Sequence, residues 1–560
     1  MHKLFERYKT WNSYINRHYP VLIWIFLSIA VLINIRPEYT IMGLDNGSPF
    51  FSFETLWYHI QHSSNFFEFG PLLYTPSIIL TFFSIPAWVV SHIFYWGSFF
   101  IGCFFIIKLV EKAVIVEQIT RFKGIIVILG LLFVLSSLIP LWIYSQPIVL
   151  FASAFAGIPA FIHFITTDRQ DKTLLLTILE SVGILFLFGT SINPVAFGFF
   201  IVTATIVSIA WLNDRSEGKN AIIKAITILG VWAIVTQFLI LLSSHRVFLP
   251  IEIVSYGQEI AQDPKSQEVT ESLLAAEIQR NSLTNVVRSA TSWMLLNKGE
   301  GERIFELEPL YDSIPFVLMG ILPPLVIIAT VYQTKKKSRR TLFLLSLWIV
   351  AQILISGYTM NLLRFVPIVN QILRWSSTKL WALSFFPLIF LLPTFFSEIV
   401  NLIKKKSFLF IAAFCVIVMS MVGTSFPWWT GNVVSNTVFV KIPQAYTEIP
   451  MPEGSNVLVV PQPQRLYMKE YLWGYFGTDF HPYLQKANFI SNGGFMERHH
   501  RYSEYLEQYR NCQLLESSDT IDFVIFDNNV KAYDEKEDVA QCYTNAIEWS
   551  KDGIYLIRIH

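Results

Sequence analysis

Long apolar blocks alternate with short polar ones along most of the chain, and the apolar blocks have similar lengths. A bilayer crossing needs roughly 20 mostly apolar residues. Segments of that kind lie near Tyr19–Ile35, Ser84–Val110, Gly124–Ile143, Ile148–Thr166, Thr173–Gly189, Pro194–Leu212 and Ala221–Leu242. Others lie near Pro315–Tyr332, Leu342–Met360, Leu380–Ile403 and Phe408–Phe426. The pattern predicts about eleven transmembrane helices. Three polar stretches stand apart from them: 36–75, 243–313 and 428–560. In the second, apolar residues at helical spacing predict helices over Glu268–Arg280 and Ser282–Leu296. In the third, Val457–Val460, Phe523–Phe526 and Ile554–Ile559 read as strands, with helices at Tyr502–Tyr509 and Asp538–Trp549. That alternation predicts a small α/β domain. The expected fold class is a polytopic α-helical membrane protein over 1–427, followed by a C-terminal α/β domain over 428–560.

Charge then orients the chain. Lys and Arg in short loops are retained in the cytoplasm. Basic clusters occur at His2–Lys9, at Lys108, Lys112, Arg121 and Lys123, at Lys335–Arg340, and at Lys404–Lys406. With an odd number of crossings and the N-terminus inside, all of them fall on the cytoplasmic face. The loops 36–75 and 243–313 and the C-terminal domain then lie outside, as expected of a multi-pass protein of the plasma membrane. The first apolar segment lacks a small-residue cleavage site and is followed by further spans, so it reads as a span rather than a signal peptide. Composition agrees: 53% of residues are hydrophobic and 15% charged, against about 25% charged in soluble domains. Lys+Arg 42 against Asp+Glu 41 leaves +1, with no surplus for nucleic acid. Of the cysteines, Cys103 and Cys415 fall inside spans as packing residues. Cys512 and Cys542 fall in the outside domain, where disulfides form. A bridge between them and two free buried thiols stand as equal readings.

No P-loop, HExxH, CxxC or dinucleotide fingerprint is present in a suitable context. What remains is acid–base and polar chemistry at the outer face. Asp45 follows the first span within Gly43–Phe50. A carboxylate just above the bilayer can act as a general base, and desolvation there raises its pKa toward that role. The structural alternative is an Asp satisfying backbone donors in an Asn-Gly turn. Arg364, Arg374 and Lys379 lie in an outside loop, against the charge rule. Holding a phosphate would explain them; so would snorkelling to outer headgroups. The aromatic-rich stretch Ser52–His62, which carries His59 and His62, is placed flat at the interface. The stretch Phe69–Pro76 precedes a re-entrant or interfacial helix. His163 and Glu180 lie within spans, either on a transport path or buried with a polar partner.

At Asp45, the Phe69–Pro76 stretch and the Leu373–Lys379 segment, the chain resembles the GT-C superfamily of membrane glycosyltransferases. The look is nearest to the bacterial arabinofuranosyltransferase-like branch. The segment from Asn285 to Trp293, the strand and proline at Val457–Pro461, Tyr471–Gly474 and Ile521–Asp527 are similar as well. The resemblance implies transfer of a sugar from a polyprenyl-phosphate carrier to an envelope glycan or lipid acceptor, with inversion at the anomeric carbon. It implies Asp45 as the base and Arg364, Arg374 and Lys379 as ligands of the carrier phosphate. Asn46, His59, His62, Glu68 and Arg288 are secondary candidates. No cofactor is required; a divalent metal stays open, because Asp45 is followed by Asn46 rather than by a second acid. Two rival readings remain. A lipid-linked oligosaccharide transporter would depend on Glu180 and on helices broken at Pro86, Pro140, Pro159, Pro323, Pro324, Pro387 or Pro393. A non-catalytic envelope scaffold would bind through Trp473, Tyr475 and Phe476.

Overall fold

The structure, a computed structural model, describes residues 2–41, 52–61, 80–145, 149–167, 174–188, 194–212, 215–244, 275, 278–290, 297–299, 302–303, 306–334, 338–363, 376–404, 408–461, 469–477, 479, 481, 484–490, 504–514, 521–531 and 541–559. Its first half contains α1 (His2–Ile33), α2 (Phe53–Gln61), α3 (Ala87–Val116), α4 (Lys123–Ser136), α5 (Leu138–Ser145), α6 (Val149–Thr166), α7 (Leu174–Leu187), α8 (Pro194–Leu212) and α9 (Arg215–Ser244). After these come the short α10 (Leu283–Val287) and α11 (Glu308–Tyr311), then α12 (Ile314–Gln333), α13 (Arg339–Ile355), α14 (Gly357–Leu363), α15 (Ser376–Lys404), α16 (Phe408–Thr424) and α17 (Phe426–Thr430). Every apolar block predicted as a span contains a helix. By length and composition, helices over Asn12–Ile33, Glu217–Val235, Ile314–Gln333 and Lys379–Leu402 suffice to cross a membrane. The α4–α5 pair, bent by 49°, adds a crossing if it counts as one span. The chain is a membrane protein; the figure of about eleven crossings rests on the sequence pattern.

Burial sorts these helices. Of the apolar window of α15, 78% is buried, against 17–28% in the other long spans. Helix α15 packs against α3, α4, α8, α12, α13 and α16, so it is the hub of the bundle. The others turn Ile and Leu outward, as helices in lipid do. Close approach uses glycine: a Cβ on Gly102 of α3 would lie 2.5 Å from the Phe155 ring of α6. The helix break falls at Ser137, whose backbone is extended and whose hydroxyl accepts from the Ile139 N–H. Pro159, Pro323, Pro324, Pro387 and Pro393 lie inside continuous helices. Proline is tolerated inside membrane helices, and at these positions it does not break the helix.

Basic residues collect at one end of the bundle. Lys112 donates to the Thr166 carbonyl. Lys224 donates to the carbonyls of Phe164 and Ile165, each at 3.2 Å. Arg340 donates to the Trp211 carbonyl and lies over its ring. Each cation caps a helix C-terminus, where exposed carbonyls and the dipole are negative.

At the opposite end the chain makes β1 (Thr40–Ile41), a small hairpin of β2 (Asn297–Gly299) and β3 (Glu302–Arg303), and β4 (Phe439–Val440). The C-terminal region adds β5 (Asn456–Val460), β6 (Lys469–Glu470), β7 (Phe476–Gly477), β8 (Asn488–Ile490), β9 (Phe523–Asp527), β10 (Ile547–Lys551) and β11 (Ile554–Arg558). Five of these form one sheet in the order β10-β11-β9-β5-β8. Strands β8, β5 and β9 are parallel to one another, and β11 and β10 continue antiparallel. Parallel strands covered on both faces read as unbroken apolar runs. Accordingly Val457 and Val459 feed one core while Leu458 and Val460 feed the other. A disulfide joins Cys512 to Cys542, Cα–Cα 6.1 Å.

Two expected helices differ from the fold. Over Asp538–Trp549 the described residues form a 3-10 turn, Gln541–Ala546, and then β10. Pairing with β11 through a turn at Asp552 and Gly553, both with positive φ, outweighs the helical spacing there. In Ser282–Leu296, of which 282–290 are described, the α-helical residues are Leu283–Val287. The Ser282 hydroxyl caps the start, and the chain leaves the helix at Ser289, φ 58°. Of Glu268–Arg280, residues 275 and 278–280 are described and helical.

Candidate active site at the outer end of the helices

Asp45, Asn46, His62, Glu68, Arg364 and Arg374 lie outside the described residues, as does the side chain of His59 on α2. The structure does define what flanks the Asp45 loop. Just past the end of α1 is Asn34, a buried residue that donates to the Trp428 carbonyl and accepts from the Val433 N–H. The next residues are held on two sides. Toward α3, the Arg36 N–H donates to Nε2 of His92 at 3.2 Å, and the Ile41 N–H donates to the Ser91 hydroxyl at 3.1 Å. Toward the C-terminal region, β1 pairs antiparallel with β4, Thr40 opposite Val440 and Ile41 opposite Phe439. The Arg36 guanidinium lies 4.2 Å from the centre of the Phe439 ring, and Lys441 pairs with Glu38 at 2.8 Å. Beyond the loop, α2 docks on the sheet: Tyr58 OH donates to Asn488 Oδ1 at 3.2 Å, and Lys486 pairs with Glu54 at 3.0 Å.

Lys379 is half-buried in the first turns of α15, with its ammonium 5.5 Å from the Phe199 ring of α8. Arg288 is buried at the end of α10. Nε and Nη2 donate to Asn285 Oδ1, Nη2 also to Asp312 Oδ1 at 2.7 Å, and Nη1 to the Tyr311 carbonyl. Gly320 lets α12 pass close, since a Cβ there would meet the Arg288 Cβ at 3.2 Å. Of its four donor contacts two are local, to Asn285, and two tie α10 to the end of α11 at Tyr311 and Asp312, so the guanidinium reads first as a staple. Beside it is a small cavity lined by Phe133, Phe385, Leu388, Met319, Ser137 and Ser384.

Sequence reasoning missed one constellation in the sheet region. Lys469 pairs with Asp479 at 3.0 Å, and His481 Nδ1 lies 2.7 Å from the same carboxylate. Asp527 accepts from Tyr446 OH at 2.9 Å and from the Asn529 N–H, and Trp473 Nε1 donates to Tyr446 OH at 3.1 Å. Lys469, Asp479, His481 and Asp527 are all buried. Burial pushes the Asp479 carboxyl up, but Lys469 and His481 outweigh it and hold the group well below the usual carboxylate range. Burial raises Asp527, and the attraction of His481 and the bonds from Asn529 and Tyr446 only partly offset it. Closed to substrate, the network fastens the β6–β7 hairpin to the end of β9. The available signal was an acid at the end of an apolar strand, Asp527, together with Asp479 and His481 two residues apart. Tyr475 is buried and Trp473 stacks on it at 5.6 Å, so these aromatics are core rather than a binding surface. The described residues hold no group of three or more His, Cys, Asp or Glu placed for a metal.

No family model matches the sequence, and no curated protein does. Among solved structures the chain is similar to the cryo-EM structure of the arabinofuranosyltransferase AftD from mycobacteria, with a TM-score of 0.57 and 14% identity. The match covers 91% of this chain and 35% of that one, so this chain spans about a third of its neighbour's length. At that identity the likeness shows the fold. The likeness is one of fold, and it singles out no particular family branch.

Proposed function

We propose that the chain is an integral-membrane glycosyltransferase that moves a sugar from a polyprenyl-phosphate donor to an envelope glycan or lipid acceptor. The observation that supports this reading is the fold likeness to a solved membrane arabinofuranosyltransferase over 91% of this chain. On this reading residues 1–427 are the membrane domain, with about eleven crossings and the basic end in the cytoplasm. Residues 428–560 are an extracytoplasmic domain, and the membrane is the plasma membrane.

Asp45 takes the proton of the acceptor hydroxyl as its oxygen attacks the anomeric carbon, and the carrier phosphate leaves with the electron pair of the broken bond. Arg364, Arg374 and Lys379 hold that phosphate and stabilise the charge that grows on it. Asn46, His59, His62 and Glu68 belong to the same outer face and serve acceptor binding. A divalent metal at Asp45 would need a further ligand from that loop. Arg288 supports the site through the loop it staples. The lipid tail lies along apolar helix surface, which the outward Ile and Leu residues supply.

The test is transfer from a panel of radiolabelled polyprenyl-phosphate sugars to an envelope extract by membranes holding wild type or Asp45→Asn. Loss of a positioned base lowers the rate by roughly 10²–10⁴-fold. Equal transfer by both would remove Asp45 from the mechanism, and no transfer from any donor would remove the enzyme reading.

A further inference from the structure

The strand and helix that flank the Asp45 loop are held by membrane neighbours, His92 and Ser91 of α3 among them, and also by a region some four hundred residues away in sequence. On the N-terminal flank, Arg36 covers Phe439, Thr40 faces Val440 and Glu38 meets Lys441. On the C-terminal flank, Tyr58 reaches Asn488 on β8 and Glu54 reaches Lys486. These contacts differ in kind: a cation over a ring, a backbone ladder, a neutral hydrogen bond and exposed ion pairs. They also come from separate elements, β4 on one side and β8 on the other. Asn488 is fixed in turn, because β8 pairs with β5 in register and the Asn488 side chain also donates to the Gly454 carbonyl at 3.1 Å. A short two-stranded ladder and a nine-residue helix have little stability alone. Part of their order is therefore borrowed from the sheet region.

We propose that the C-terminal sheet region is the positioning element of the outer face, with Arg36 and Phe439 on one flank and Tyr58 and Asn488 on the other acting as positioning residues. The region sets the two ends of the first outside loop in place and does not itself touch the reacting atoms. This rests on the proposed transfer reaction for its kinetic arm only.

The experiment uses the full chain in lipid nanodiscs and compares wild type with Phe439→Ala, Asn488→Ala and the conservative Phe439→Tyr and Arg36→Lys. Hydrogen exchange of peptides covering 36–41 and 53–61 is measured beside transfer kinetics. The expected result is exchange about tenfold faster on the affected flank in the alanine variants, while β5 and β9 keep wild-type protection. Transfer kcat falls about tenfold with donor KM within about twofold, because geometry and not ground-state binding is lost. Phe439→Tyr and Arg36→Lys, which keep ring and cation, stay near wild type. Unchanged exchange on both flanks, or faster exchange with unchanged kcat, overturns the proposal. Faster exchange throughout β5 and β9 also overturns it, since the contacts would then be merely structural. If wild type transfers nothing, the enzyme reading fails, and the exchange arm still decides whether the sheet holds the flanks.

Discussion

The helical and sheet regions of this chain bury opposite things. In the helices, Ile223, Ile226 and Ile234 of α9 are 60%, 63% and 71% exposed. In the sheet region Leu472 is the one large hydrophobic so exposed among the described residues, while Lys469, Asp479, His481 and Asp527 are buried. The difference reflects two solvents. Lipid exerts no force to hide an isoleucine, so helix contacts rest on fit and on small residues. Water drives apolar groups inward and tolerates a buried ion only when it is paired. One chain therefore needs two criteria for a well-made surface.

The largest effect expected from breaking this contrast is at the buried pair. Lys469→Met leaves the Asp479 carboxylate without its cation, and removing one partner of a buried pair costs about 3–5 kcal/mol. Protease resistance of the sheet region in the full chain should collapse. Next comes a charge on the lipid side. Ile234→Lys, nearer the middle of the span Ala221–Leu242, should cost about 2.5–3.5 kcal/mol and reduce insertion, whereas Leu472→Lys should stay within about 0.5 kcal/mol by the protease assay. Packing between helices follows. Gly102→Val drives a side chain into the Phe155 ring and carbonyl and should cost about 1–3 kcal/mol, read as a lowered melting temperature in detergent.

A further comparison distinguishes two carboxylates of one network by pH. Asp479 is depressed in the fold. Its contribution is present above the unfolded value of about 3.9 and drains away as pH falls toward its lower folded value. Asp527 is raised, so its contribution is present below the unfolded value and is lost as pH rises through the folded one. Asp479→Asn should therefore lose stability at neutral pH and flatten the acid transition. Asp527→Asn should leave neutral stability nearly unchanged. Equal losses in the two would contradict the assigned directions.

Much of this architecture was legible in the sequence, because apolar block length and the runs at Val457–Val460 and Phe523–Phe526 depend on local pattern alone. The C-terminal hairpin was misread, since Ile547 and Trp549 fit a helical face as well as a strand until β11 supplies a partner. The break at Ser137 was missed because proline drew attention to the wrong positions. Arg288 was placed among the site residues by its charge, and only the three-dimensional positions of Asn285, Tyr311 and Asp312 assign it to a staple. The link between Arg36 and Phe439 spans too much sequence for any local rule to find.

Sidedness tests the account most directly, because a reaction at the outer face needs the sheet region outside and the basic helix caps inside. Leu472→Cys and Lys108→Cys would each be made in a Cys415→Ser background, since Cys415 is the exposed free thiol among the described residues. Right-side-out vesicles would then be treated with a membrane-impermeant maleimide. The account predicts prompt labelling at position 472 and labelling at 108 only after permeabilisation. Labelling of both before permeabilisation, or of 108 alone, would contradict it.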